Sequence, residues 1–360
     1  MAQPSLVIVG GGYIGVELAK GLEGTFAVTL VEPRDSFVHA PAMLRGIVDA
    51  RTRETALIPY DKLLTKGAWV RAKATEIRAD AVVTDKGDTI AADYIVLCPG
   101  ASNGGIFKPE GADMDAFRAA QAKVEGQIAA ADRIVIVGAG AVGTELAGEI
   151  AHAHPGKALT LISSDASLFP TFPSKLGQGL ASRMAAMGVD LVLGQRVSDL
   201  KSTTEPYSGA VTLTDGRVIE ADLIIPCIGS KPQTALFDGL PGVKKAGNGR
   251  VQVDDHLRPS SLPNVFAAGD AVDAGDAMTI VATSRQGPWL AKLLKALAAG
   301  KSVEAQKKYT PWGTAPILVP LGPEKGSSFL VIATFGDWVT RTMKGKGLFI
   351  SKYRKILGYG

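Results

Sequence analysis

One pattern of residues occurs twice in this 360-residue chain, and it constrains the fold more than any other feature. Its copies read LVIVGGGYIGVELA near the N-terminus and IVIVGAGAVGTELA about a third of the way along the chain. Each copy predicts a short apolar strand, a glycine-rich turn and a helix with an apolar face. The glycines recur at the same spacing in both copies: Gly10, Gly12 and Gly15, then Gly138, Gly140 and Gly143.

A further apolar strand closes each repeated unit. The first unit ends in ADYIVLCPGAS and the second in ADLIIPCIGSK, so that Gly100 and Gly229 follow the closing strands. A strand, a glycine turn and a helix offer free backbone N–H groups and the positive end of a helix dipole to a pyrophosphate. The repeat therefore predicts an α/β protein with two Rossmann-like domains and two bound dinucleotides.

Two acidic residues indicate how the first dinucleotide is held. The second strand of the first unit, VTLVEP, ends at Glu32, whose carboxylate is placed to accept hydrogen bonds from ribose hydroxyls. A plain surface acid is the alternative. The later segment LPNVFAAGDAVD places Gly269 and Asp270 after another strand, where a carboxylate suits the ribityl or pyrophosphate part of a flavin.

Taken together, these motifs resemble the two-dinucleotide-binding-domain flavoproteins over about residues 5–300. The resemblance implies that the first unit and the GD segment hold FAD and that the second unit holds NAD(P)H. It divides the chain into a discontinuous FAD-binding domain (1–105 and 236–300), an inserted NAD(P)H-binding domain (106–235) and a small α+β C-terminal domain (301–360).

The second unit leaves the choice between NADH and NADPH open. The position that corresponds to Glu32 is Ser163, in LTLISSD, so the acid that would repel a 2′-phosphate is absent. No arginine stands beside Ser163 and Ser164 to bind such a phosphate, and Asp165 disfavours one. We therefore write the nucleotide as NAD(P)H.

Glu145 follows the last glycine of the second unit by two residues, as Glu17 does in the first unit. One interpretation is a carboxylate that complements the helix N-terminus, an interaction worth about 0.3–1 kcal/mol. The other is a catalytic role in which Glu145 orients the nicotinamide against the flavin.

Three more stretches resemble the apoptosis-inducing-factor-like branch of these flavoproteins, which contains NAD(P)H:quinone oxidoreductases. They are PRDSFVHAPAMLRGIVD after Glu32 and the C-terminal runs KYTPWGTAPILVPLG and WVTRTMKGKGLFISKYRK. The resemblance implies that His39, Arg45 and Lys344 lie near the flavin, with His39 as a proton donor of near-neutral pKa. A surface or packing role for His39 and a solvated side chain for Lys344 are the alternatives.

Two segments that flank these motifs have two interpretations each. The run AMTIVATSRQGPWLAKLLKAL predicts a helix whose start faces the flavin ring, with Met278 and Thr279 as ring contacts or as ordinary packing residues. Residues 338–360 contain six basic side chains and no acidic one, interspersed with apolar residues. This segment fits a peripheral contact with an anionic membrane, or a hairpin packed on the enzyme, which Gly345 and Gly347 favour.

The cysteines bear on the route of the electrons. Cys98 and Cys227 lie far apart and neither forms a CxxC pair, which argues against the dithiol reductases among these flavoproteins. Electrons are then expected to leave from the flavin itself, and the branch resemblance favours a quinone as acceptor. A small ferredoxin or cytochrome, or a non-catalytic redox-sensing role, remains open.

Several other classes are disfavoured by composition. The chain has no secretion signal, no apolar run of about 18 residues and no nucleic-acid-binding module. We expect a cytoplasmic protein, with a peripheral membrane contact left open. No metal site and no oligomeric state are predicted.

Overall fold

In the computed structural model, which describes residues 3–360, each repeated motif becomes a strand, a turn and a helix. The elements up to residue 105 are β1 (Ser5–Val9), α1 (Tyr13–Leu22), β2 (Ala27–Val31), β3 (Ser36–Val38), α2 (Ala40–Gly46), α3 (Ala50–Thr55), β4 (Leu57–Pro59), β5 (Ala68–Val70), β6 (Ala74–Ile77), β7 (Ala81–Thr84), β8 (Thr89–Ala91), β9 (Tyr94–Leu97) and β10 (Ala101–Ser102).

The second repeat begins after a long helix. The elements from residue 106 to residue 234 are α4 (Met114–Ala130), β11 (Arg133–Val137), α5 (Ala141–Ala153), β12 (Ala158–Ile162), α6 (Ser174–Ala186), β13 (Val189–Val192), β14 (Tyr207–Thr212), β15 (Val218–Pro226) and β16 (Lys231–Pro232).

The remaining elements follow a short 3₁₀ turn at Ala235–Phe237. They are β17 (Val251–Gln252), β18 (Val265–Ala267), β19 (Val272–Asp273), α7 (Ile280–Ala298), β20 (Ile317–Leu321), β21 (Lys325–Phe329), β22 (Thr334–Phe335), α8 (Asp337–Thr340), a π-helical turn (Arg341–Gly345, the π turn) and α9 (Ile350–Ile356).

Each glycine motif lies at the centre of its own sheet. The first sheet is parallel, in the order β18-β9-β1-β2-β5, so a strand from residues 265–267 joins the sheet that begins at residue 5. The second sheet has the order β13-β12-β11-β15-β14, with only β14 antiparallel. Central strands such as β1 are continuously apolar because helices cover parallel sheets on both faces. The predicted α/β fold class is confirmed; the domain boundaries stay predictions.

The C-terminal region contacts both halves of the molecule. Its antiparallel sheet, β20-β21-β22, buries Val319, Leu321 and Phe329 in the apolar core of the second unit, against α5 and α6. Its last helix instead places Tyr353 and Leu357 in the core of the first unit. The π turn lies between these two attachments along the chain.

The hairpin prediction for residues 338–359 is wrong, because the segment is helical. Gly345 does not serve a hairpin turn: a Cβ at this position would lie 2.7 Å from the Pro323 carbonyl oxygen, so glycine permits close packing of the π turn. The chain reverses instead at Leu348 and Phe349, which adopt left-handed backbone conformations with φ of 47° and 60°. Such a pair of non-glycine residues is costly, and tertiary contacts must hold it in place.

Candidate active site

The three glycines of the first unit have different physical roles. A Cβ on Gly10, whose φ is 102°, would collide with the Cys98 carbonyl, and a Cβ on Gly15 would collide with the Gly10 carbonyl. Gly12, by contrast, begins α1 without a side-chain cap, and a Cβ there would meet no other part of the protein within 4 Å. Gly10 and Gly15 thus permit tight packing, and Gly12 leaves the helix end open.

The second unit repeats this arrangement. A Cβ on Gly138 would lie 2.7 Å from the Cys227 carbonyl oxygen, and one on Gly143 would collide with the Gly138 carbonyl. Gly140 begins α5, has no side-chain cap and faces open space. An open helix N-terminus lined by backbone N–H groups fits a pyrophosphate, so the residues present at both turns fit a dinucleotide.

Gly100 and Gly229 follow the closing strands β9 and β15 at equivalent places. Their φ angles are 73° and 74°, and a Cβ on either would meet no other protein atom within 4 Å. Both glycines therefore let the chain turn sharply beside the glycine loops. Their contact with a cofactor stays a prediction.

Glu32 is buried, which excludes the surface-acid interpretation. Its carboxylate accepts hydrogen bonds from the Gly11 N–H (2.7 Å) and from the backbone and guanidinium of Arg34 (2.7–3.0 Å). Burial raises the pKa of Glu32, but the Arg34 charge and these bonds outweigh burial and lower it below its usual value. Because four bonds occupy the carboxylate, ribose hydroxyls would have to replace the Arg34 guanidinium. The ribose role stays a prediction.

The GD segment is held in place by α7. The Gly269 N–H donates a hydrogen bond of 2.7 Å to the side chain of Gln286, a buried α7 residue. Asp270 lies 3.2 Å from the Lys108 ammonium, so a flavin contact by Asp270 would have to share or displace that lysine. This contact also remains a prediction.

Met278 and Thr279 directly precede α7, which begins at Ile280, three residues after the start of the predicted run. Thr279 is the N-cap residue, and its hydroxyl accepts a hydrogen bond of 3.2 Å from the Ala282 N–H. This cap satisfies one of the free N–H groups at the helix start. Whether either residue contacts a flavin ring stays a prediction.

Ser163 is buried directly after strand β12. Its hydroxyl accepts a hydrogen bond of 3.1 Å from the Asp165 N–H, which closes a tight turn. The nucleotide-binding role of Ser163 stays a prediction, and the choice between NADH and NADPH stays open.

Glu145 and Lys344, two predicted catalytic residues 199 positions apart, form a buried ion pair. The Lys344 Nζ lies 2.7 and 2.8 Å from the two Glu145 oxygens and donates to the Leu318 carbonyl at 3.1 Å. Burial raises the pKa of Glu145 above its usual value, and the Lys344 charge opposes that effect. The solvated alternative for Lys344 is excluded, because its side chain is buried in the π turn.

Arg45 joins the first repeated unit to this pair. Its guanidinium donates to both oxygens of Glu149, at 2.9 and 2.8 Å, and to the Gly345 carbonyl at 2.8 Å. Glu149 lies one helical turn after Glu145 on α5. The cofactor-binding role of Arg45 stays a prediction, and its described contacts are with protein groups.

His39 is completely buried at the start of α2, and the expectation of a near-neutral pKa is wrong. Burial, aided by the Lys344 and Lys352 charges, lowers the pKa of His39 to about 4, although its hydrogen bond with the Leu348 carbonyl acts in the opposite direction. A carbonyl only accepts, so Nε2 carries the proton and Nδ1 accepts from the Tyr13 hydroxyl at 3.2 Å. The proton-donor role stays a prediction.

Comparison with known proteins places this site in a family. The profile described as pyridine nucleotide-disulphide oxidoreductase matches residues 58–287, and a second profile of the same description matches residues 5–56. The chain is also 30% identical to apoptosis-inducing factor homolog B of Dictyostelium discoideum, over 97% of this chain and 95% of that protein. The chain belongs to the pyridine nucleotide-disulphide oxidoreductase family.

Other relatives agree with this assignment. The oxidoreductase is 28% identical to ferroptosis suppressor protein 1 of Homo sapiens, over 98% of this chain and 95% of that protein. These relatives confirm the apoptosis-inducing-factor-like branch. They also confirm FAD and NAD(P)H as the cofactors of this oxidoreductase.

Solved structures share the fold. An NDH2 from Plasmodium falciparum, solved in complex with NADH, superposes with a TM-score of 0.73 at 13% identity, over 99% of this chain and 95% of that chain. A ferredoxin reductase from Rhodopseudomonas palustris gives a TM-score of 0.69 at 15% identity, over 91% and 88%. At these identities the likeness concerns the fold alone.

Two features are absent from the part of the oxidoreductase that the structure describes. Within residues 3–360, no helix is long and apolar enough to cross a membrane. In the same range, no group of three or more His, Cys, Asp or Glu side chains is arranged to hold a metal ion.

Glu149 and Lys108 pair with the candidate residues Arg45 and Asp270, and the sequence alone did not single them out. Glu149 stands in the same GTELAGE run as Glu145, and the four-residue spacing places both acids on one face of the helix. That spacing was a usable signal. No sequence signal pointed to Lys108, because its partner Asp270 is 162 residues away.

The open glycines give a paired prediction. Gly12→Ala places a methyl group where the first pyrophosphate approaches, and Gly140→Ala does so in the second unit. We expect Gly12→Ala to weaken FAD retention, and Gly140→Ala to weaken NADH binding, each by about tenfold or more, which corresponds to about 1.4 kcal/mol. Flavin absorbance after dialysis and NADH titration measure the two effects. Each variant serves as the control for the other, and loss of both cofactors in either variant would contradict the assignment.

Proposed function

We propose that the protein transfers a hydride from NAD(P)H to FAD and then delivers the electrons to a quinone. The observation that carries this proposal is the buried Glu145–Lys344 pair, which lies beside the open nucleotide end of α5 and at the junction with the C-terminal domain. Buried ion pairs are expensive, so a pair next to a nucleotide-binding turn indicates a functional role.

Each member of the pair has a distinct task in this proposal. When bound, FAD supplies the chemistry: it accepts a hydride from NAD(P)H and releases electrons to a further acceptor. Glu145 orients the nicotinamide through its carboxylate oxygens. Lys344 fixes that carboxylate by binding both oxygens, and its charge favours the ionised form against the effect of burial.

The quinone is proposed from the relatives. The C-terminal runs resemble quinone oxidoreductases of the branch, and ferroptosis suppressor protein 1 is similar over nearly the whole chain. Beside the first glycine loop, the rings of Tyr13, Phe37, His39 and Tyr353 pack on one another at centroid distances of 5.0–6.3 Å. Because Phe37, His39 and Tyr353 are buried, this cluster presents no open face to an acceptor, and the choice of a quinone rests on the relatives.

A second candidate acceptor is a small ferredoxin or cytochrome. The ferredoxin reductase of R. palustris has the same fold over most of both chains. The basic residues in 338–360 would attract an acidic redox partner.

The hydride step is tested with Glu145→Gln and Lys344→Met. We expect each variant to bind NADH and FAD but to lower the rate of flavin bleaching by NADH roughly 10- to 100-fold, since misplacement of a reacting group has costs of this order. Anaerobic stopped-flow absorbance measures that rate. The matched control is Glu17→Gln, the equivalent residue of the first repeat, which should change the rate by less than about twofold. Wild-type rates in both site variants would overturn the role of the pair.

The acceptor is tested in a second mixing step with a water-soluble quinone or with a ferredoxin. We expect rapid reoxidation by the quinone with little dependence on ionic strength. Fast reoxidation only by the ferredoxin, with a strong loss at high salt, would instead establish the second candidate. A bound flavin that NADH never bleaches would contradict both and support the redox-sensing role.

We also infer a weak contact with an anionic membrane through the C-terminal domain. Four of its large apolar side chains are exposed: Val331, Ile332 (90%), Trp338 (77%) and Met343. Isolated apolar residues are ordinary on surfaces, but four within 13 residues favour an interaction site. The basic residues of the same domain make an anionic lipid surface the preferred occupant.

Vesicle co-sedimentation tests this contact. We expect binding to vesicles of mixed anionic and neutral phospholipid at low salt and release at high salt, with binding reduced by Ile332→Ser and Trp338→Gln. The control is Val218→Ser, which removes an exposed apolar residue (58%) from the second unit. No salt-sensitive binding by the wild-type protein would overturn the inference.

A further inference from the structure

Two buried carboxylates lie one turn apart on α5, and neither is neutralised from within its own unit. Glu145 is paired with Lys344 from the C-terminal domain, and Glu149 with Arg45 from α2. All four side chains are buried. The NAD(P)H-binding unit therefore contributes both negative charges, while the two elements packed against it contribute the positive charges.

Arg45 contacts the backbone that carries Lys344 as well as Glu149. The same Nη2 atom that binds Glu149 donates to the Gly345 carbonyl at 2.8 Å, and Nη1 lies 3.5 Å from the Lys346 carbonyl oxygen. Gly345 is the residue directly after Lys344. The guanidinium fork thus fixes the end of the π turn relative to α5.

The π turn depends on such stabilising hydrogen bonds more than a regular α-helix would. Its closing hydrogen bond spans five residues, from the Lys346 N–H to the Arg341 carbonyl at 3.0 Å. Turns of this kind are short, irregular and frequent at functional sites. A rotation of the turn would carry the Lys344 ammonium away from Glu145, because the lysine stands at the fourth of its five positions.

Stability alone gives little reason to keep the Arg45–Glu149 pair. Replacing a buried ion pair with apolar residues of similar volume is often neutral or stabilising, whereas removing one partner is strongly destabilising. A Met and Leu pair would therefore hold α2 against α5 about as well. Only the guanidinium can also bind the Gly345 carbonyl.

We propose that Arg45 and Glu149 are positioning residues for hydride transfer: they set the place of Lys344 and the charge balance around Glu145. This inference rests on the proposed function of the Glu145–Lys344 pair and extends it to a second, adjacent pair. Neither Arg45 nor Glu149 needs to touch the substrate.

The neighbouring charges predict opposite changes in the pKa of Glu145 when Arg45 and Glu149 are replaced. Three charged groups face Glu145: Lys344, Glu149 and Arg45. The Glu149 charge raises the pKa of Glu145, and the Arg45 charge lowers it. Removing Arg45 should therefore raise the pKa of Glu145, and removing the Glu149 charge should lower it. If hydride transfer requires ionised Glu145, the rate is present above this pKa and is lost below it.

The experiment compares Arg45→Met, Glu149→Gln and the double variant Arg45→Met/Glu149→Leu in full-length, FAD-loaded protein. The rate of flavin bleaching by NADH is measured from pH 5 to pH 9 by anaerobic stopped-flow, with NADH affinity and thermal stability measured in parallel. We expect all three variants to lose about tenfold or more in rate with NADH affinity within about threefold. The acid limb should move to higher pH in Arg45→Met and to lower pH in Glu149→Gln.

The double variant separates positioning from stability. It retains no unpaired buried charge, so we expect it to fold with nearly wild-type thermal stability and to keep the low rate. The matched control is Glu125→Gln, which breaks the 2.8 Å pair between Arg53 of α3 and Glu125 of α4 and should leave the rate within about twofold.

A wild-type rate in the double variant would overturn the inference, because the single variants would then fail only through an unpaired charge. Acid limbs that move in the same direction in both single variants would also overturn it. If Glu145→Gln itself leaves the rate unchanged, the proposed role of the Glu145–Lys344 pair is contradicted, and the inference that rests on it is contradicted as well. If Glu145→Gln lowers the rate and the double variant does not, only this inference fails.

Discussion

Four charged side chains are buried where α5 meets α2 and the π turn, and the packing of these elements depends on how the charges are paired. An isolated buried ion costs several kcal/mol, so Glu145 and Glu149 require cations at close range. Lys344 and Arg45 supply them from elements outside the NAD(P)H-binding unit. The packing of the two repeated units and the C-terminal region therefore pairs all four of these charges. This pairing brings the nucleotide end of α5 against the π turn.

Local chemistry explains which parts of this arrangement the sequence predicts. The glycine spacing is predictive because part of its role is local: a Cβ on Gly15 would collide with the Gly10 carbonyl, and Gly12 begins the helix, although Gly10 also packs against the distant Cys98 carbonyl. Glu145 and Lys344 were each recognisable as candidates, but their pairing was not, because no pattern links residues 199 positions apart. The pKa of His39 was mispredicted for a related reason: burial depends on Leu348 and other distant residues that the local sequence does not reveal.

The same limit explains the wrong hairpin prediction. Gly345 and Gly347 suggest a turn when only neighbouring residues are considered, yet Gly345 is needed because the Pro323 carbonyl packs against the π turn. The actual reversal uses Leu348 and Phe349, residue types that rarely adopt positive φ. Only the surrounding packing can impose such a conformation, so propensity alone could not have predicted it.

The separation of Glu145 from Lys344 has a consequence for how the protein is made. Chains are synthesised at about 5–20 residues per second, so roughly 10–40 s pass between the incorporation of the acid and that of its counter-ion. During this interval α5 carries Glu145 without its lysine partner and without the β-sheet that later covers the helix, whereas Arg45, the partner of Glu149, has already been synthesised. Both nucleotide-binding turns are already complete. The growing polypeptide therefore contains both glycine turns and the GD segment before it contains Lys344, the lysine that pairs with Glu145.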